Sequence, residues 1–470
     1  MNNMSCKKRL FSGSVGFLRS LFVMTALAAV MLAGVVVYDS APHIPMLFGA
    51  VLAGTMALIS GYTWEEVEAG MVKGMSSSLS SLTILLLIGI LTGTWILDGV
   101  VPAMVYYGLD LISPALFLPS AMFLCALLSM LVGSWGTIGT IGLAMAGLAQ
   151  IMGIPMPIAA GAIVSGSYVG DKISPLSDTA NLTSAITEVD IFENVKYKIA
   201  LPLVSLGAAA VIFFIIGQQY HGGGEVYSQI EQLQQVLAEH FAVTPFSFFP
   251  LVLLVVLMLL RVPAIPSLVA SILAAALQWM FHGEADMGTL LDICMDGYVS
   301  STGVELLDTL LTAGGFNSML YSVSMILCAM MFSGIMEHTG QMEALMRPVV
   351  EHVKSFGGLI AATVGSCILV NVCLPEEFIS ISIPGALFLD AYDRRGIPRK
   401  ELAYTASAAG TTTSSLIPWN TCGVFITGVL GISPFAYAPY AFYNLILPVL
   451  TILAAVSRRK GLPHESEKGL

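Results

Sequence analysis

The residues best able to do chemistry in this chain stand in one stretch, Gly153 to Thr179. Its second half sets Asp171, Lys172, Ser174, Ser177, Asp178 and Thr179 around Pro175. Two carboxylates, three hydroxyls and the carbonyls that a proline leaves unbonded offer oxygen alone, which suits a hard cation such as sodium. A carboxylate that accepts either Na⁺ or H⁺ can exchange one for the other. The expected ion-binding residues are therefore Asp171, Ser174, Ser177, Asp178 and Thr179, with Asp171 and Asp178 contacting the metal ion. The competing reading is that Asp171 and Lys172 merely solvate a helix end at the membrane edge. Lys172 is either a counter-ion to Asp171, displaced when a cation enters, or a snorkelling interface residue.

A second stretch shares this layout. A shift of 243 positions carries Gly153-Ile154-Pro155 onto Gly396-Ile397-Pro398, and Pro175-Leu176-Ser177-Asp178 onto Pro418-Trp419-Asn420-Thr421. Its polar residues, Thr411 to Ser415, Asn420 and Thr421, are all neutral. They suit a carbonyl-and-hydroxyl cage or the polar part of a substrate, with the half-helix after Pro418 favouring an anion. Close helix packing by small residues is the alternative. The expected substrate-binding residues are Thr412, Thr413, Ser414, Asn420 and Thr421, joined by Ser134, Thr137 and Asn371 from two polar turns. Glu376 and Glu377 are adjacent, which argues that they do not both face one site. Asp98 and Glu337-His338 end equivalent spans and read as interfacial.

These residues need a membrane scaffold. Of the 470 residues, 56% are hydrophobic and 10% charged, the balance of an all-α polytopic membrane protein. Apolar runs fall at about 15 to 37, 42 to 60, 79 to 98 and 197 to 217, then at 246 to 261, 264 to 281, 318 to 337 and 436 to 456. Pro45 matches Pro266 and Gly74 matches Gly297, so the chain reads as two copies of one unit, 1–217 and 244–470. Residues 218–243 between them form a soluble linker that contains no Lys or Arg. That linker leans outward, while Lys7, Lys8, Arg9 and Arg19 at one end and Arg458, Arg459 and Lys460 at the other place both termini in the cytoplasm. Each copy then crosses an odd number of times. This gives two inverted repeats of about five spans, each with one broken helix and a re-entrant hairpin or span pair at 115–151 and 358–391. The basic residues Arg261, Arg347, Lys354, Arg394, Arg395, Arg399 and Lys400 then fall inside.

Other classes fit less well. An aspartyl protease needs no mirrored breaks, a channel needs no inverted pair, and no GxxxxGK[ST] loop exists for an ATP-driven pump. The 7 cysteines show no zinc spacing and read as small core residues, and no basic cluster could track nucleic acid. No cofactor is expected beyond Na⁺ or H⁺ as coupling ion.

The chain resembles the NhaC family of Na⁺/H⁺ antiporters. The resemblance rests on Gly93-Thr94-Trp95, Ser134-Trp135-Gly136-Thr137, Gly170 through Thr179, Gly314-Gly315 and Leu416-Ile417-Pro418-Trp419-Asn420-Thr421-Cys422-Gly423. It implies inverted repeats with hairpins, a bacterial inner-membrane location, a homodimer and elevator-like transport. One departure stands out. Relatives carry an acidic pair where this chain has Ser407 and Ala408, and a basic residue at Tyr404. The functional expectation is therefore Na⁺/H⁺ antiport, with Na⁺-coupled transport of a small organic carboxylate or amino acid as the alternative.

Overall fold

A chain this apolar must satisfy its backbone internally at membrane depth, and helices do so without partners. In the computed structural model residues 13–457 are described, apart from 39, 112–113, 176, 221–223, 261, 282–285, 354 and 375. Lys7, Lys8, Arg9, Arg261, Lys354, Arg458, Arg459 and Lys460 lie outside the described residues, whereas Arg19 is described. Among the described residues all regular structure is helical, save one isolated antiparallel bridge between Tyr298 and Ala313. Five helices are long and apolar enough to cross a bilayer: Leu79–Leu97, Ala200–Gly217, Ala264–Phe281, Asn317–His338 and Phe356–Cys373. The total is up to 8 if three sharply bent pairs each count as a span.

Helix order recurs along the chain. Phe117–Thr137 breaks at Gly133, whose φ of 76° suits glycine, and the chain continues through Ile138–Gly142 to Leu143–Ile151. At matching places in the second half, Phe356–Cys373 ends and Glu377–Arg394 follows. The two polar turns read from sequence are thus the two breaks. The first arm of the second hairpin is itself long enough to span. Next in order come Met156–Ser167 with the short Gly170–Ile173, matched by Arg399–Ser414. Asp178–Thr187 is matched by Thr421–Leu430.

The two halves of the chain differ in one insertion. The register is 223 between Gly74 and Gly297 but 243 further on, and the extra residues form a loop between Gly297 and Asn317. Asp308 organises that loop, accepting from the Ser300 hydroxyl at 2.8 Å, the Thr302 amide at 2.6 Å and hydroxyl at 2.8 Å, and the Gly303 amide at 3.1 Å. The Gly315 amide then docks on Gly89 O at 2.7 Å.

Packing sorts the helices into two groups, each drawing on both copies. In one, Trp64–Ser77 and His43–Ile59 lie against Leu320–His338, and Leu79–Leu97 against Ala264–Phe281. In the other, Phe117–Thr137 lies against Met156–Ser167, Glu377–Arg394 against Arg399–Ser414, and Asp178–Thr187 against both of these last two. Glycine sets the closest approaches: a Cβ on Gly74 would stand 2.2 Å from Met330 O, and one on Gly166 2.1 Å from Met122 O. The linker helix Gly224–His240 turns Leu233 and Leu237 inward, and Gln234 Nε2 donates to Tyr106 O at 3.0 Å.

Candidate functional site

The first break is a short unwinding. After Gly170–Ile173 the chain extends through Ser174 (φ −100°, ψ 128°) and Ser177 (φ −69°, ψ 135°) before Asp178 starts the next helix. Hairpin and break are tied together where the Gly170 amide donates to Ser129 Oγ at 2.9 Å and Ser174 Oγ donates to Met130 O at 2.7 Å. Asn181 Nδ2 donates to the carbonyls of Pro175 and Ser177, at 3.3 and 2.9 Å. Asp171 is only 5% exposed; Ser177 Oγ donates to its Oδ1 at 3.4 Å, and Oδ2 has no hydrogen-bond partner. Thr179 Oγ1 lies 2.9 Å from Ser177 Oγ and donates to the Asp171 carbonyl at 3.3 Å.

A cavity of about 650 Å³ opens here, between the two helix groups. One wall is polar, with Ser134, Asp171, Ser174, Ser177, Asp178, Thr179 and Thr421. The other is apolar, with Ile84, Ile88, Met258 and Leu268 among its residues. All five expected ion-binding residues line it, Asp178 as an exposed residue and Asp171 as a buried one. Of the expected substrate-binding residues only Ser134 and Thr421 do so. Among the described residues no three of His, Cys, Asp and Glu converge as a metal cluster. A cation here would draw on hydroxyls and carbonyls as much as on carboxylates.

The remaining expected residues bond to one another or to backbone. Thr137, Thr412, Thr413 and Ser414 donate back to Gly133, Ala408, Ala409 and Thr411 carbonyls at 2.7 to 2.8 Å. Asn371 Nδ2 donates to Gly410 O at 2.7 Å and Thr413 Oγ1 at 3.0 Å; Asn420 Nδ2 donates to Asn371 Oδ1 at 3.0 Å. Asn420 also caps the following helix, accepting from the Cys422 amide at 3.1 Å. These amides and hydroxyls latch the second hairpin to the second break and sit outside the cavity lining.

Two expectations about charge need correction. Glu376 and Glu377 both line the cavity, at 7% and 5% exposure. Adjacent helical residues would diverge by about 100°, but Glu376 is extended (φ −139°, ψ 126°) and only Glu377 is helical, so the turn brings both round. The signal was present in the register: the 243 shift that aligns the breaks sets Gly133 on Glu376 and Ser134 on Glu377. Lys172, at 4% exposure, neither pairs with Asp171 nor snorkels. It turns away from the cavity, donating to Tyr404 O at 3.2 Å with its Nζ 4.1 Å from that ring's centroid. Beside it Lys198 pairs with Glu401, whose other oxygen accepts from Tyr197 OH at 2.6 Å. Asp98 is buried with no hydrogen-bond partner on either oxygen, unlike exposed Glu337 and His338.

Hairpin tips, broken helices and a buried carboxylate in a two-walled cavity are the parts of a secondary transporter, and known proteins place it further. The Na⁺/H⁺ antiporter family matches residues 9–180 and 166–457. The chain belongs to this family, and to its NhaC branch. It is 33% identical to the Na⁺/H⁺ antiporter NhaC of Alkalihalophilus pseudofirmus, over 94% of this chain and 95% of that one. It is 31% identical to a malate-2H⁺/Na⁺-lactate antiporter of Bacillus subtilis, over 92% of this chain and 93% of the relative. It is also 31% identical to the arginine/ornithine antiporter ArcD of Halobacterium salinarum, over 93% and 91%. This NhaC-family chain is a multi-pass membrane transporter, not an enzyme.

Proposed function

We propose that the chain exchanges Na⁺ for H⁺ across a bacterial cytoplasmic membrane. The observation that carries this reading is Asp171, buried with a free oxygen in a cavity whose lining holds Ser174, Ser177 and Thr179 and, among the described residues, no Lys, Arg or His. A buried carboxylate at membrane depth is costly unless it holds a cation or a proton, so cation binding here is tied to proton movement. In proteoliposomes containing a pH-sensitive dye, an external Na⁺ pulse should move protons with the native protein. Asp171→Asn should abolish that flux while the protein stays monodisperse. Full flux in the variant returns Asp171 to a structural role.

Sidedness and architecture belong to the same reading: two inverted repeats, both termini inside, Arg394 to Lys400 cytoplasmic, the linker external, and movement of the hairpin-bearing helix group as the transporting body. In a background without native cysteines, an impermeant thiol reagent added outside should label Gln232→Cys and spare Arg394→Cys. The reverse pattern refutes the inverted arrangement.

A second reading has one observation in its favour. The cavity is far larger than a sodium ion, and its apolar wall could seat an organic body. With Asp171, Asp178, Glu376 and Glu377 and, among the described residues, no basic residue in the lining, an amino acid or organic cation suits it better than a bare carboxylate. Competition of such a solute with Na⁺-driven proton flux tests this.

A further inference from the structure

We propose that Glu376 and Glu377 carry the counter-transported proton at a station of their own, separate from the hydroxyl-lined cation seat at Asp171. This rests on the exchange reading above and adds to it which residues hold which ion.

The placement comes from the second hairpin. Its turn delivers both glutamates to the cavity from the start of the 18-residue helix Glu377–Arg394, and Glu376 Oε2 and Glu377 Oε1 are buried without a hydrogen-bond partner. The glutamates stand on the hairpin tip and Asp171 on the broken helix, so the two acidic positions belong to different elements, close enough for the Asp171 charge to act on Glu377. Their surroundings differ in kind. Asp171 has the Ser177 and Thr179 hydroxyls and unwound carbonyls close by. Glu377 has a thiol: Cys422 Sγ donates to its Oε2 at 3.1 Å. Phe378 and Thr421 line the cavity as well, the latter adding a hydroxyl. A hard cation wants a shell of oxygens, and sulfur is a poor substitute. A proton needs one oxygen.

Charge argues the same way. The titratable groups facing the pair are Asp171 and Asp178 from the first break, Tyr168 from the helix before it, and Cys422 from the helix after the second break. All are acidic, and among the described residues no basic side chain lines the cavity. Adjacent buried carboxylates beside a third do not all ionise, so the pair retains a proton while the cation seat is empty. When Na⁺ reaches Asp171 its field weakens that hold. The carboxylic O–H bond breaks, the proton passes to cavity water, and the electron pair stays on the carboxylate. By linkage the proton weakens Na⁺ binding by the same factor.

The test uses purified full-length protein in weakly buffered detergent, with Na⁺ binding followed by ²²Na⁺ and proton release by a pH dye. Native protein should release protons on Na⁺ addition, and its Na⁺ affinity should fall up to tenfold per unit drop in pH. Glu376→Gln/Glu377→Gln should still bind Na⁺, now with little pH dependence, and release no protons. Glu377→Asp should keep release, which separates loss of the acid from loss of the fold. Asp171→Asn should lose Na⁺ binding. Loss of Na⁺ binding in the glutamine double variant while Glu377→Asp still binds would make the pair the cation seat and overturn the proposal. Undiminished proton release from the double variant would overturn it too, by leaving both ions to Asp171. If the native protein moves no protons in liposomes, the exchange reading itself falls and takes this station with it; flux in liposomes with either overturning result removes the station alone.

Discussion

Lys198→Met should be among the most damaging substitutions outside the cavity. Glu401 is 2% exposed and takes Lys198 on one oxygen and the Tyr197 hydroxyl on the other, so removing the lysine leaves a buried carboxylate with one neutral donor. Breaking a buried pair from one side costs about 3 to 5 kcal/mol, mostly the penalty of the charge left behind. Two features set the value here. Lys198 has φ 52°, a strain that methionine inherits unchanged, so the backbone contributes nothing to the difference. Lys172 stands 4.1 Å from the centroid of the Tyr404 ring whose face Lys198 also approaches, at 5.6 Å, and its charge softens the loss. We therefore expect the low end, about 3 kcal/mol, and a fall of several degrees in melting temperature. Adding Glu401→Gln to Lys198→Met should recover most of that fall, because the stranded charge is gone. Unfolding can be followed in detergent with a thiol-reactive dye, since Cys125, Cys367, Cys373 and Cys422 are free and buried. If the double variant melts as low as the sum of the single effects, the two residues do not act as a pair and the reasoning fails.

Gly166→Ala puts a methyl 2.1 Å from Met122 O and 2.8 Å from Cys125 Cβ, so the first hairpin must shift away from the broken helix. We expect a loss of about 1 to 3 kcal/mol together with reduced Na⁺-driven proton flux; a stable, fully active variant would show that hairpin and break are not held in register by this contact. In the inserted loop, the Thr302 amide holds the Asp308 carboxyl below the usual carboxylate range. A depressed acid stabilises the fold above its unfolded value and ceases to as pH falls through its folded value. Asp308→Asn should thus lower the melting temperature at neutral pH, with the gap from native protein closing in strongly acidic buffer; a gap unchanged by pH would refute the charge argument.

The breaks and hairpins were legible because proline, glycine and charge cannot sit in a lipid-facing helix, so their presence in apolar sequence marks a cavity. Which oxygens face that cavity was not legible. Thr412, Thr413 and Asn420 have the composition of a ligand cage, yet they bond backbone and Asn371, and a linear pattern cannot separate the two uses. Lys172 was misjudged for a related reason. Its partner, Tyr404, lies 232 positions away, and only the packing of the first break on Arg399–Ser414 brings them together. The loop after Gly297 was hidden in plain sight, as a change of register from 223 to 243 between the copies.

That register also explains the division of labour across the cavity. It aligns Asp171 with Ser414, Asp178 with Thr421, and Ser134 with Glu377. The first copy places its acids on the broken helix and a hydroxyl on the hairpin tip; the second places hydroxyls on the broken helix and acids on the tip. Had both copies carried acids on both elements, more carboxylates would crowd a space with no basic residue among those described, and Coulomb repulsion at low dielectric would force most to stay protonated. Had the second break kept acids, its Asn371, Thr413 and Asn420 contacts would have to tolerate a buried charge. The hydroxyls and amides of the second break then hold the tip that carries Glu376 and Glu377, through Asn420 to Asn371 and Trp419 Nε1 to Val372 O at 2.8 Å. A rigid tip of this kind keeps two carboxylates aimed into the cavity that would otherwise turn to solvent.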